Sequence, residues 1–184
     1  MRKKILAISG STKYNSTSHA VLKNVARDFT DLEIKVYNSI ASLPHFYPDA
    51  DSAIPMEVAD FRQKIQEADG VLFCTPEYVF SLPGSLKNAI EWTVATTLFS
   101  SKPVAIIVAA ASGEKALESL DLIMTTLETV LPEDSKLLIK GARGKIMADK
   151  IVDQEVWVKI RKVINSLVST INDSDKTPFK YRLL

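Results

Sequence analysis

The sequence predicts an α/β domain with a three-layer αβα architecture built on a five-stranded parallel sheet, and three observations carry that expectation. Short, continuously apolar runs recur along the chain, stretches of helical periodicity separate them, and glycine- or hydroxyl-bearing loops follow the apolar runs. Parallel neighbours need crossover connections, and these run right-handed, so strands alternating with helices leave few topologies. The strand order 2-1-3-4-5 of the flavodoxin-like fold fits five such units and puts the second strand at an edge.

Residues 4–9, KILAIS, lack polar alternation, as expected of a central strand covered on both faces. Residues 17–29 repeat apolar side chains at Ala20, Val21, Val25, Ala26 and Phe29, a stripe that would pack a helix back on the sheet. Residues 32–37, LEIKVY, alternate cleanly, the mark of a strand nearer an edge. Between 38 and 55, Pro44, Pro48 and Pro55 and the polar run at 49–52 predict an irregular loop, functional or disordered. A second helix is expected over 56–68, a buried strand over 70–75, and a third helix from Pro83 or Gly84 to near Thr96. The order closes with a strand at 103–110, a helix at 114–130, a short strand at 136–139 and a helix at 152–171. Residues 1–171 form one domain on this reading, and 172–184 a C-terminal extension.

Composition removes several function classes. Lys plus Arg number 23 and Asp plus Glu 22, so a formal charge of +1 offers no general attraction for nucleic acid or anionic membrane. One cysteine makes no internal disulfide framework, and two histidines, His19 and His45, make no zinc cluster, so no metal is expected. The apolar run behind the basic start is too short for a signal peptide, and no stretch approaches the roughly eighteen apolar residues of a membrane span. A cytoplasmic protein is the expectation.

In an open α/β sheet a ligand sits beyond the carboxyl ends of the strands, where neighbouring connections diverge. Three loops meet that description. The first, residues 10–18, carries Ser11, Thr12, Ser16, Thr17, Ser18 and Lys13 directly before a helix. Hydroxyls, helix-start N–H groups and one lysine suit a phosphate. The loop matches neither G-x-x-x-x-G-K-[ST] nor G-x-G-x-x-G, which favours a monophosphate over a triphosphate or pyrophosphate. The same residues also read as a plain helix cap. The second loop, residues 75–84, holds Pro76, Glu77, Tyr78, Val79 and Phe80 between two prolines and reads as a wall for a flat ring, or as a surface turn covering the core or a subunit interface. The third, 110–114, contains Ser112 and Gly113.

Two motifs resemble those of the flavodoxin-like NAD(P)H-dependent FMN reductases, a family that includes quinone, azo-dye and chromate reductases. The pattern G-S-x-R-x-x-S-x-N is approximated by Gly10, Ser11, Lys13, Ser16 and Ser18, with Lys for Arg and Ser for Asn. The pattern P-E-Y-N-x-S-x-P-G-x-L-K-N-A-I-D-W appears as Pro76, Glu77, Tyr78, Ser81, Pro83, Gly84, Leu86, Lys87, Asn88, Ala89, Ile90 and Trp92, with Val79 for Asn and Glu91 for Asp. The resemblance spans residues 3–130. It implies that Ser11, Lys13, Ser16, Thr17 and Ser18 hold the FMN phosphate, that Pro76, Glu77, Tyr78 and Val79 line the isoalloxazine, and that Ser112 and Gly113 shape a third wall. It further implies hydride transfer from NAD(P)H through FMN to a quinone, azo compound, free flavin or similar small acceptor, with ping-pong kinetics, no catalytic side chain, and a homodimer or homotetramer. The alternative is a non-enzymatic flavodoxin-like binding or regulatory module with weak flavin affinity, which the changes at Val79 and in the third loop permit.

Other residues have plainer readings. Glu77 is expected to fix loop geometry or support a subunit contact rather than to donate a proton, and Cys74 to be a small core residue. His45 reads as a surface histidine, while His19 faces either the phosphate or solvent. The cluster Lys136, Lys140, Arg143, Lys145 and Lys150, opposed only by Asp149 in sequence, reads as a solvated face.

Overall fold

A computed structural model describes residues 1–48, 54–173 and 175. Five strands, β1 (Lys4–Ser9), β2 (Glu33–Tyr37), β3 (Gly70–Thr75), β4 (Val104–Ala110) and β5 (Lys136–Lys140), form one parallel sheet in the order β2-β1-β3-β4-β5. The expected flavodoxin-like topology is therefore present, with the alternating strand at an edge.

The unbroken apolar runs are explained by two cores, one on each face of the sheet. Along β1, β3 and β4, Leu6, Ile8, Val71, Phe73, Ile106 and Val108 face one core. It is completed by Phe61 of α2 (Met56–Glu67), Leu86 of α3 (Gly84–Glu91) and Leu120 of α4 (Glu114–Thr126). The intervening Ile5, Ala7, Leu72, Cys74, Ala105 and Ile107 face the other, with Val21 and Val25 of α1 (Thr17–Asp28). A strand with period-2 side chains and a core on both sides has no position left for a polar residue.

The differences from expectation lie in the connections. The third helix ends at Glu91 rather than near Thr96; beyond it the Thr93 and Thr96 hydroxyls donate back to the carbonyls of Ile90 and Thr93 at 2.7 and 2.6 Å, closing turns instead of continuing the helix. The fourth helix stops at Thr126 rather than Val130. Glu128 adopts φ 58° there and turns the chain, so that Val104 N–H donates to Val130 O at 3.0 Å. After β5 come a short helix, α5 (Ala142–Lys145), and an antiparallel pair, β6 (Ile146–Met147) and β7 (Lys150–Ile151), none of them anticipated by the sequence pattern because all are too short to leave a periodic signal. The closing helix, α6 (Gln154–Asn172), begins where the Asp153 carboxylate accepts from the N–H groups of Glu155 and Val156 at 2.9 and 3.1 Å, two residues later than expected.

The polar run at 49–52 and nearly all of the expected C-terminal extension lie outside the described residues. The described part of the long loop contains a short 3-10 helix, Ile40–Ser42. The loop is pinned over α3, since Asn88 Nδ2 and Trp92 Nε1 donate to Pro44 O at 3.0 and 2.7 Å while Asn88 Oδ1 accepts from Phe46 N–H at 2.8 Å.

Candidate functional site

The connections from β1 and β3 leave in opposite directions, toward β2 and β4, so a crevice opens between the carboxyl ends of these two neighbouring strands. The three loops singled out in the sequence all gather at this edge. Gly10 N–H donates to Cys74 O at 2.8 Å, which lays the first loop against the start of the second. The approach tolerates no side chain: a Cβ on Gly10 would stand 2.2 Å from Thr75 Oγ1.

The first loop is tied down from within. Ser9 Oγ accepts from Ser11 N–H at 3.3 Å, Ser11 Oγ accepts from Lys13 N–H at 3.2 Å, and Ser16 Oγ accepts from His19 N–H at 3.1 Å. Ser16 is thus the N-cap of α1, and the cap reading is correct as far as it goes. It does not exclude an anion, because a helix start leaves the N–H groups of Thr17 and Ser18 without intrahelical partners. Lys13 is exposed at the mouth and Thr17 half-buried. Ser18 Oγ, by contrast, is buried without a well-formed hydrogen bond, close to the Cys74 thiol, so Ser18 offers the crevice its N–H rather than its hydroxyl.

Cys74 is fully buried, and burial pushes its thiol up to about 12, which makes it an inert core residue as expected. His19 faces neither open solvent nor a free mouth. It is 5% exposed, packs on the Tyr14 ring at 5.6 Å, and is held below its ordinary pKa by burial and then by Lys23. His45 is at the surface, as expected. The basic cluster is dispersed: Lys136 pairs with Asp121 and Glu133, each within 3.0 Å, and Lys140 with Glu114.

The second loop has an unexpected geometry. Tyr78 and Ser81 exchange both backbone hydrogen bonds, 2.9 and 3.0 Å, around Val79 at φ 51° and Phe80 at φ 56°. Two positive φ values in a two-residue turn are the pattern that Asn-Gly prefers, and a β-branched residue there is strained. The turn carries Tyr78, Val79 and Phe80 outward, with Val79 96% exposed. The sequence shows the apolar content of this loop but not its backbone, because Val and Phe carry no turn signal.

Glu77 joins the second and third loops. Its Oε1 accepts from Gly113 N–H at 3.1 Å, and its Oε2 from Lys115 and Ala116 N–H, each at 3.0 Å. The expectation that this carboxylate fixes loop geometry is met. Gly113 itself sits at φ 103°, and a Cβ there would meet Leu138 Cδ1 at 2.6 Å. Ser112 is exposed beside it. Because the Gly113 N–H is already donated to Glu77, it is not available to a ligand in this arrangement.

The crevice therefore combines a hydroxyl-rich helix start with one flanking lysine, a rigid wall of residues 76–78 and a backbone-capped third loop. Its chemistry suits a phosphorylated planar molecule, and it lies at the switch point of a flavodoxin-like sheet. Residues 3–144 match the model of the NADPH-dependent FMN reductase family, and the chain belongs to that family. It is 30% identical over 171 residues to the NADH:(hydroxy)cinnamate reductase subunit CrdA of Vibrio ruber, covering 89% of this chain and 84% of that protein. It is likewise 30% identical over 184 residues to a 2-hydroxy-1,4-benzoquinone reductase of a Burkholderia species, covering 94% and 98%. Among solved structures, FerB, a flavoenzyme NAD(P)H:(acceptor) oxidoreductase from Paracoccus denitrificans, superposes with a TM-score of 0.79 at 26% identity over 92% of this chain and 97% of that one. The protein is an NAD(P)H-dependent reductase-type flavoenzyme whose cofactor is FMN. The donor set of the first loop, its hydroxyls, helix-start N–H groups and exposed Lys13, fits the monophosphate of that group. No described helix is long and apolar enough to cross a membrane.

Proposed function

We propose that this protein, working in the cytoplasm as a homodimer or homotetramer, reduces quinones and similar small planar acceptors at the expense of NAD(P)H, by ping-pong kinetics. When bound, FMN supplies hydride acceptance from the nicotinamide and hydride delivery to the acceptor. The observation that carries the reading is that the loops leading to α1 and to residues 76–78 leave adjacent strand ends, which the backbone hydrogen bond from Gly10 N–H to Cys74 O joins.

Each residue then has a defined role. Ser11, Ser16 and Thr17, with the N–H groups of Thr17 and Ser18, surround the phosphate, and Lys13 at the mouth compensates its charge. Pro76 and Glu77 hold the ring-facing backbone still, and Tyr78 and Val79 lie along the ring edge; Ser112 and Gly113 close the far side. No side chain is required to move a proton. The exposed Tyr78, Val79 and Phe80 tip leaves apolar surface that an acceptor or a second subunit can cover.

The test is spectroscopic and kinetic. Purified protein mixed with FMN is expected to bind it, to bleach on anaerobic addition of NADPH, and to recover its absorbance on addition of benzoquinone, with parallel double-reciprocal plots. Protein that binds no FMN, or binds it without reaction, would favour the non-enzymatic module.

A further inference from the structure

We propose that Glu77 is a positioning residue that also acts electrostatically, locking the ring-facing segment to α4 and, by offsetting the positive end of that helix, holding the reduction potential of the site down. This rests on the flavin reading above.

The start of α4 has no cap of its own. Gly113 stands at the N-cap position in the left-handed region and offers no side chain. Glu77, thirty-six residues earlier, supplies the cap instead, with both carboxylate oxygens spent on three backbone N–H groups at 3.0–3.1 Å. Hydrogen bonds to an ionised acceptor are about twice as strong as neutral ones, so the second and third loops behave as one body. A helix start carries roughly half a positive charge, and three uncapped donors would stabilise electron density beside them. The two charged side chains in the first turn of α4 are each paired. Glu114 is bonded to Lys140, and Lys115 to Glu118 at 2.7 Å. Glu77 is thus the carboxylate bonded directly to the α4 start, and a neutral side chain there leaves the positive end of the helix uncompensated, which makes an electron-rich, reduced ring easier to hold.

Two variants separate clamp from charge. Glu77→Gln keeps the shape and loses the charge; its amide oxygen satisfies one side while its NH2 meets a donor. Glu77→Ala loses both. In the apo protein, hydrogen exchange of the Gly113, Lys115 and Ala116 amides is expected to quicken about tenfold or more in Glu77→Ala. At saturating FMN, Glu77→Gln is expected to shift the oxidation equilibrium about tenfold toward the reduced flavin, a rise of about 30 mV for a two-electron couple, read against a reference dye. Unchanged amide exchange in Glu77→Ala overturns the clamp, and should that variant not fold, exchange in Glu77→Asp, which keeps the charge but is one methylene too short to reach all three N–H groups, decides the same point. An unmoved potential in FMN-loaded Glu77→Gln overturns the charge role alone. Wild-type protein that takes up no FMN overturns the flavin reading instead, and the potential with it.

Discussion

The Asn88 carboxamide accepts the N–H of Phe46 at 2.8 Å, across forty-two residues of chain, and donates to Pro44 O at 3.0 Å with its other end. One side chain therefore ties α3, which begins at the ring wall, to the loop that follows β2. This gives a physical role to a motif residue that never reaches the crevice.

Asn88→Ala is expected to lower stability by about 1–3 kcal/mol, since it leaves the half-buried Phe46 N–H and Pro44 O each short of a partner. At this chain length that corresponds to a melting temperature lower by several degrees, roughly 2–4 °C for each kcal/mol. A melt superimposable on wild type would show that the loop is held by the Trp92 bond alone.

Lys13→Ala combined with Ser16→Ala is expected to weaken FMN binding about tenfold or more, but Ser16→Ala also removes a cap that stabilises α1 by about 1 kcal/mol. Ser16→Asp separates the two effects. Aspartate caps as well as serine, so its melt should match wild type while its charge repels the phosphate and FMN titration shows the loss. Full FMN affinity in Ser16→Asp would move the phosphate elsewhere.

Val79→Asn with Phe80→Gly places the residues that a two-residue turn with positive φ at both positions prefers. Both native side chains are largely exposed, 96% and 78%, so little packing is lost. A gain of about 1 kcal/mol is expected in chemical denaturation. A loss would mean that the native turn is not strained as its dihedrals indicate.

Two buried acids make the fold sensitive to alkali. Burial pushes Cys74 from 9.0 up to about 12, and burial followed by Asp60 and Glu57 pushes Tyr37 from 10.0 up to about 12. Each keeps its proton longer in the folded chain than in the unfolded one. Their contribution to stability is therefore complete below their ordinary values and is lost as pH rises toward about 12, by at most about 1.4 kcal/mol per pH unit for each group. Urea midpoints are expected to fall steadily from about pH 9 upward, and a flat profile would contradict the shifts. Over the same range Cys74 should react with a thiol reagent only as fast as the chain unfolds.

What the sequence determined by itself was what repeats or punctuates: apolar strands, striped helices, the serine-rich bend before α1 and the proline-framed segment at 76–83. These follow from local rules, since side-chain period and backbone permissiveness are properties of a few adjacent residues. The sheet order followed from fitting five units to the flavodoxin-like pattern, with the alternating second strand at an edge. Tertiary structure decided where each polar group spends its hydrogen bonds. Nothing near Glu77 in sequence says that its acceptors are needed by Gly113, Lys115 and Ala116, nor that Ser18 turns inward beside Cys74 while Ser16 stays at the rim. It also decided the dihedrals of Val79 and Phe80, which no local preference favours and which the reciprocal Tyr78–Ser81 pairing imposes. Such pairings join residues far apart in the chain or override local preference, and only the folded arrangement brings the partners within bonding distance.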